Sequence, residues 1–374
     1  MERISIQQFL MLGASVTLGT TFIPVGTVMA GLAGRDGWMA VIPAFLFGIP
    51  FGLMVITLSE RYPQKNLFEI SEKVLGKWIG KIFGIAASVI AAFFGGLLIG
   101  QGVDMFSRSI LPFTPRWVFI LSSFPLILML VYAGIEVLAR FSEIVFPIIV
   151  LALVGTALLS IPRFEPGELL PLLENGLKPL LYGFVEGIPW PMEYVLFLGG
   201  LLKFLPKGYQ EKKQMRVRLW SIFLSVGFID MLIALIEIWV FGPSETARQT
   251  YGLLTLGKMI EISRTISGVE SIFMVIWMGA SMIKITAFYF IAWWGVQSVF
   301  KVKQWVAHIM IIPIFMGVPW IIVRGADIPL ALTQMDRYLI LPFVLVWVVL
   351  LWGISTWKQN NPTPSVNSAE TGQD

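Results

Sequence analysis

Ten apolar runs of bilayer-spanning length, at about 8–33, 38–60, 82–106, 117–135, 143–161, 179–202, 218–242, 268–299, 305–323 and 338–357, dominate this chain. A helix crosses the hydrocarbon core with about 20 residues, so ten crossings consume nearly all of the 374 residues and leave no separate soluble domain. The fold class is therefore an all-α polytopic membrane protein, a single transmembrane domain over 1–357. The remaining 358–374, with Asn360-Asn361-Pro362-Thr363-Pro364 followed by polar residues, is too poor in apolar side chains to order itself and reads as a disordered tail.

With the amino terminus inside, the lysines and arginines crowd into inner segments, chiefly Arg61 to Lys81 and Lys203 to Arg218. That bias places both termini in the cytoplasm and accounts for the net charge of +4 without a nucleic-acid partner. The absence of cysteine and the single histidine, His308, argue against a metal, cofactor or disulfide framework. No nucleophile and base pair suggests an enzyme. Leu67, Ile70, Val74 and Trp78 repeat at helical spacing opposite Glu69, Glu72, Lys73 and Lys77, as in an amphipathic helix along the inner leaflet.

Two spans are interrupted. The first carries Gly19-Thr20-Thr21-Phe22-Ile23-Pro24-Val25-Gly26, and the sixth carries Gly183 and Gly187, Pro189 and Pro191, and two carboxylates, Glu186 and Glu193. Proline removes a backbone donor and breaks a helix interior. Unpaired backbone at membrane depth is tolerated only where protein or a polar cavity covers it. Breaks in spans one and six, with five spans per half, predict a 5+5 inverted repeat (about 8–161 and 179–357) around a midplane site. There, helix starts face an anionic group and helix ends face a cation, which suits a zwitterionic solute.

Three ionisable residues lie deep in spans: Glu193, Asp230 and Lys284. Each costs at least about 2.5–3.5 kcal/mol at the bilayer centre unless sheltered. Lys284 is expected to pair with Glu193 or Asp230, either as a lock between helices or as a group coupled to ligand or proton. Glu186, Glu237 and Glu270 read as nearer a surface, His308 as a packing residue, and Gly95-Gly96, Gly100 and Gly102 with Gln101 as a close helix contact.

Several segments also carry a resemblance. They are Ile4-Ser5-Ile6-Gln7-Gln8 leading to Gly19 and Pro24, Glu60-Arg61-Tyr62-Pro63, Leu75-Gly76-Lys77-Trp78-Ile79-Gly80-Lys81, Ala139-Arg140-Phe141-Ser142-Glu143 with Phe146-Pro147, and Ile188-Pro189-Trp190-Pro191-Met192-Glu193-Tyr194-Val195-Leu196-Phe197. In order and spacing the chain resembles the B-subunit family of bacterial spore germinant receptors, a branch of the amino acid–polyamine–organocation transporter superfamily. The family's sixth-span stretch reads Phe-Pro-Phe-Gly-Glu, and here Pro191-Met192 stands in place of the glycine. The resemblance implies a subunit of the spore inner membrane that binds a nutrient, often an amino acid, and assembles with an A subunit and a lipoprotein C subunit. A proton-coupled amino acid transporter is the alternative. In either case Gly19, Thr20 and Thr21 are expected to receive the ligand carboxylate and Gly187, Ile188 and Pro189 its amino group. Trp190 is expected to wall the pocket, with Glu193 and Lys284 as charge partners.

Overall fold

The computed structural model describes residues 3–205, 209–259, 269–322 and 327–361, and among these there are helices and connections and no strand. In chain order the helices are α1 (Ile6–Thr21), α2 (Val25–Ala33), α3 (Val41–Arg61), α4 (Leu67–Leu75), α5 (Lys77–Ser109), α6 (Arg116–Ala133), α7 (Ile135–Ser160) and α8 (Leu177–Gly187). They continue with α9 (Pro189–Leu201), α10 (Tyr209–Phe241), α11 (Pro243–Thr246), α12 (Gly252–Met259), α13 (Val269–Phe300), α14 (Gln304–Ile322), α15 (Ile328–Met335) and α16 (Leu341–Asn360). A π-helical turn, Asp336–Ile340, joins α15 to α16.

Among the described residues, seven helical stretches are long and apolar enough to cross a membrane, and the chain is an integral membrane protein. The first and sixth sequence spans are absent from that set as whole helices because both are divided. The pieces α1, α2, α8 and α9 have 16, 9, 11 and 13 residues. α1 and α9 lie at the centre, packed against α10, α3 and α13, and α5 runs along α13.

Local chemistry explains the element ends. Ser5 and Gln8 form a reciprocal cap on α1, with Ser5 Oγ accepting from Gln8 N (3.1 Å) and Gln8 Oε1 from Ser5 N (2.9 Å). Gln8 Nε2 also donates to Glu143 Oε2 at 3.4 Å, so two of the resemblance segments meet. Asn66 and Glu69 repeat the same cap at α4.

The apolar face of α4 is buried at Leu67, Ile70 and Val74, against α5 and α16 rather than lying free along a leaflet. Its Ser71 Oγ accepts from Trp347 Nε1 at 2.7 Å. Trp78 departs from the expected face. Gly76 adopts φ +89°, which ends α4 and turns the chain, so Trp78 belongs to α5 and is 78% exposed.

Polar ties gather at two ends of the bundle. At one, Arg216 Nη2 meets Glu60 Oε2 (2.8 Å), Arg61 Nη1 donates to Thr356 Oγ1 (2.8 Å), and Asn66 Nδ2 donates to Ser298 Oγ (3.0 Å). At the other, Leu173 N donates to Asp36 (3.0 Å), Thr27 Oγ1 to Gln249 O (2.7 Å) and Tyr251 Oη to Asp104 Oδ2 (2.8 Å). The start of the expected tail is helical: α16 continues to Asn360, and Lys358 Nζ donates to Val74 O at 2.9 Å. Residues 362–374 lie outside the described residues.

α4 and α5 approach so closely at Gly80 that a Cβ there would meet the backbone of Ser71 and Glu72. Backbone cannot yield as a side-chain tip can. Gly80→Ala is expected to destabilise the protein by about 1–3 kcal/mol, read as a lowered unfolding temperature of the detergent-purified chain. An unchanged value would show that α4 can shift freely.

Candidate functional site

The chain leaves helical geometry where its prolines demand it. α1 ends at Thr21, and α2 restarts after Pro24 (φ −87°, ψ −9°), with Ile23 N reaching back to Thr20 O at 3.3 Å. The sixth-span break is tighter than an unwound segment. Ile188 keeps helical angles (φ −56°, ψ −38°) and its N–H reaches Phe184 O at 3.2 Å. Pro189 and Pro191 open α9, where a missing N–H is tolerated. The carbonyls of Val185 and Gly187 thereby lose the donors that would stand four residues on.

Pro191, which departs from the pattern that the resemblance implies, fits because α3 presents Gly48 to it. A Cβ on Gly48 would stand 2.5 Å from Pro191 Cβ. Glycine is thus used on the facing helix, letting a bulkier residue occupy the break.

Lys284, on α13, resolves the charge pairing. Its Nζ lies 2.6 Å from Glu193 Oε2, with both side chains essentially out of contact with solvent, and donates to Thr20 Oγ1 at 2.7 Å. Ser281, one turn earlier, donates to Gly19 O at 3.3 Å. One face of α13 therefore holds the carbonyl-rich end of α1, where a positive charge is favourable, and reaches across to α9. Asp230 on α10, the other acid expected to pair with it, takes no direct contact with the ammonium. It stands beside Thr21, whose hydroxyl donates to Thr17 O (3.2 Å), and within electrostatic reach of Lys284.

A small cavity of about 40 Å³ opens at the breaks, among Thr20, Thr21, Pro24, Gln101, Trp190, Glu193, Tyr251 and Asp336. That is room for roughly three waters, so a larger occupant requires the walls to part. Of the residues singled out in the sequence, Thr20, Thr21, Trp190 and Glu193 line this cavity. Gly19, Gly187, Ile188, Pro189 and Lys284 are not among its lining residues. A Cβ on Gly19 would meet Ala280 and Lys284, and one on Gly187 would meet Ala44 and Met29, so these glycines serve close packing beside the site. Gly19 to Thr21 is the carbonyl end of the first break; the amide-rich start facing it is that of α2, at Val25.

Tyr251 covers the cavity at the end bearing Asp104. It donates to Asp104 Oδ2, whose partner oxygen accepts from Arg108 Nε at 2.7 Å. Burial, with the Asp104 carboxylate beside it, pushes the Tyr251 phenol up from the ordinary tyrosine value, so it remains a neutral donor.

Asp336 escaped the sequence reading because the tenth apolar run starts only at 338. The Asp327 cap on Leu330 N (3.1 Å), followed by Pro329, starts the helix earlier and carries Asp336 inward, into the π turn beside Glu193. An Asp-x-Pro cap ahead of an apolar run is the signal that could have found it. Glu237, expected near a surface, is fully buried: Gly26 and Gly252, each near the start of a helix, leave the space its carboxylate fills. His308 is buried, stacked on Trp293 at 5.3 Å, its Nδ1 2.9 Å from Tyr289 Oη. The side chain of Glu270 lies outside the described residues.

A helical membrane bundle with two divided helices meeting at a buried polar cavity is a fold that solved structures share. Mhp1, a nucleobase-cation-symport-1 family transporter in a closed conformation with bromovinylhydantoin bound, superposes with a TM-score of 0.69 at 12% identity, covering 96% of this chain and 94% of that one. MhsT in complex with L-phenylalanine gives 0.69 at 16% identity, covering 98% and 94%. The chain itself belongs to the spore germination protein family of spore permeases, whose model matches residues 3–324. Among its relatives in Bacillus subtilis (strain 168), spore germination protein YndE is 26% identical over 74% of this chain and 75% of its own. Spore germination protein KB is 24% identical over 96% and 95%.

Removing Lys284 would strand the Glu193 carboxylate. Lys284→Met is expected to destabilise by about 3–5 kcal/mol, with most of the loss recovered in the Lys284→Met/Glu193→Gln pair. Thermal unfolding of the two variants checks this. Equal losses in the single and double variants would mean the pair is not what holds α13 to α9.

Proposed function

We propose that this protein is the membrane subunit of a spore nutrient germinant receptor. In this reading it binds a small nutrient, an amino acid, in the cavity at the helix breaks and passes the change in conformation to A and C subunits beside it. The observation that carries this is the cavity itself: Thr20, Thr21, Trp190 and Glu193, drawn from both divided spans, line one buried polar space. The transporter fold, the family, and the L-phenylalanine held by MhsT support a small-molecule ligand.

The two divided spans are the first and sixth of ten, arranged as a 5+5 inverted repeat, with both termini on the cytoplasmic side of the spore inner membrane. The ligand carboxylate meets the Thr20 hydroxyl and the amides opening α2, beside Thr21. Its amino group lies toward the α8–α9 junction and Glu193, and Trp190 forms the wall. Lys284 fixes the charge of Glu193 and holds α1, α9 and α13 together through the change. A ligand shifts such a bundle only by the difference in its affinity for the two arrangements. The proton-coupled transporter reading uses the same cavity, and the transporter neighbours keep it in view.

Ligand-dependent stabilisation of the purified chain across amino acids, sugars and nucleosides, followed by uptake in proteoliposomes, separates the two readings. The receptor reading expects stabilisation by an amino acid without uptake. Proton-dependent uptake would make the protein a transporter, and stabilisation by no compound of any class would overturn the ligand site. Glu193→Gln, which keeps shape and removes charge, is expected to shift the germinant dose–response to higher concentration by about tenfold or more without preventing membrane insertion. An unchanged dose–response would remove Glu193 from the site.

A further inference from the structure

The cavity wall is rich in acceptors that lack donors. Asp336 Oδ1 has no hydrogen-bond partner among the described residues, and Gln101 Oε1 has none either; both side chains line the cavity and are 7% and 3% exposed. Glu193 lines the same space beside Asp336, while its ammonium partner Lys284 is not among the lining residues and is shared between Glu193 and Thr20. Asp230, wholly buried on α10, also has two unpartnered oxygens.

The neighbouring charges are already balanced in pairs. Glu186 at the cavity edge is held by Arg337 at 3.2 Å, and Asp104 by Arg108 and Tyr251. That leaves the carboxyls of Glu193, Asp336 and Asp230 around one ammonium, Lys284. Three carboxylates and one ammonium withdrawn from water are not electrically balanced, and uncompensated buried charge is strongly unfavourable. Protons on the carboxyls would supply the difference in the absence of a ligand. A ligand that brings its own positive charge and several N–H donors can supply it instead, and an ammonium offers three donors to acceptors that have none.

We propose that the ligand enters as an amine. Its ammonium seats among Asp336 Oδ1, Gln101 Oε1 and Glu193, and its arrival releases a proton from the carboxyl cluster to solvent. The amine keeps its charge throughout, no covalent bond changes, and the proton leaving balances the cation arriving. This rests on the reading of the cavity as the ligand site and adds the chemical group that the site selects. It also moves the selection from the expected Gly187 to Pro189 backbone to Asp336, on the π turn ahead of the last helix.

The test is calorimetric titration of the full chain in detergent, in two buffers of different ionisation enthalpy. Amino acids and putrescine are the first probes, and each binder is then compared with its deaminated hydroxy analogue. The amine is expected to bind about tenfold or more tightly than the analogue, with a heat that differs between buffers in the sense of proton release. Asp336→Asn is expected to abolish the buffer dependence and weaken the amine. Should that variant not fold, the wild-type comparison of amine with analogue decides. Equal binding of amine and analogue, or equal heats in both buffers, overturns the proposal and leaves the ligand site standing, as does binding by sugars or nucleosides alone. Binding by no compound of any class overturns both.

Discussion

The Lys284–Glu193 pair is the contact on which the centre of this molecule depends. It joins α13 to α9 and, through Thr20, to the end of α1, so the two divided spans and the helix between them meet at one ammonium. An isolated charge at that depth would be intolerable; a paired, hydrogen-bonded one is tolerated, and removal of either partner leaves the other exposed to the full penalty. The prolines that break the spans make room for this arrangement rather than disturbing it. Pro24 ends α1 so that its terminal carbonyls face α13, and Pro189 with Pro191 starts α9 so that Glu193 lies on its inner side.

The breaks themselves were legible in the sequence because proline and glycine act locally: no neighbour is needed to know that Pro24 or Pro189 interrupts a helix. The depth of Glu193, Asp230 and Lys284 was legible for the same reason, being a matter of position in an apolar run. Which acid pairs with the lysine was not, since that depends on how α9, α10 and α13 are rotated against each other, and hydropathy carries almost no rotational signal in helices that are apolar on every side. Asp336 was lost to a boundary error, and Glu237 to the assumption that an acid near the end of an apolar run faces outward. Trp78 was assigned to a face that Gly76 dissolves.

Pro189, Trp190 and Glu193 match the sixth-span pattern that the resemblance implies, and Pro191-Met192 departs from it, with Gly48 on α3 giving the space. The cavity is small and its covering is polar: Tyr251, Asp104 and Arg108 close one end through hydrogen bonds. A site built from broken helices under a hydrogen-bonded cover suits a protein that changes conformation around a ligand, whether the change is read by partner subunits or moves the ligand onward. A second, larger recess of about 1310 Å³, between α4, the α6–α7 junction and the end of α13, opens at the opposite end and is lined by Lys65, Lys73, Lys203 and Lys301. The two spaces differ in charge, carboxyls at the helix breaks against lysines in the recess.

Photoaffinity labelling therefore tests the central claim most directly. The purified chain, irradiated with a diazirine-bearing form of whichever nutrient stabilises it and then digested for mass spectrometry, reports which walls the ligand touches. The account predicts labels on the segment from Trp190 to Glu193 and on that from Leu332 to Asp336, competed away by the unlabelled nutrient. Labels confined to Trp293, Trp294 and His308 in the lysine-lined recess would contradict it.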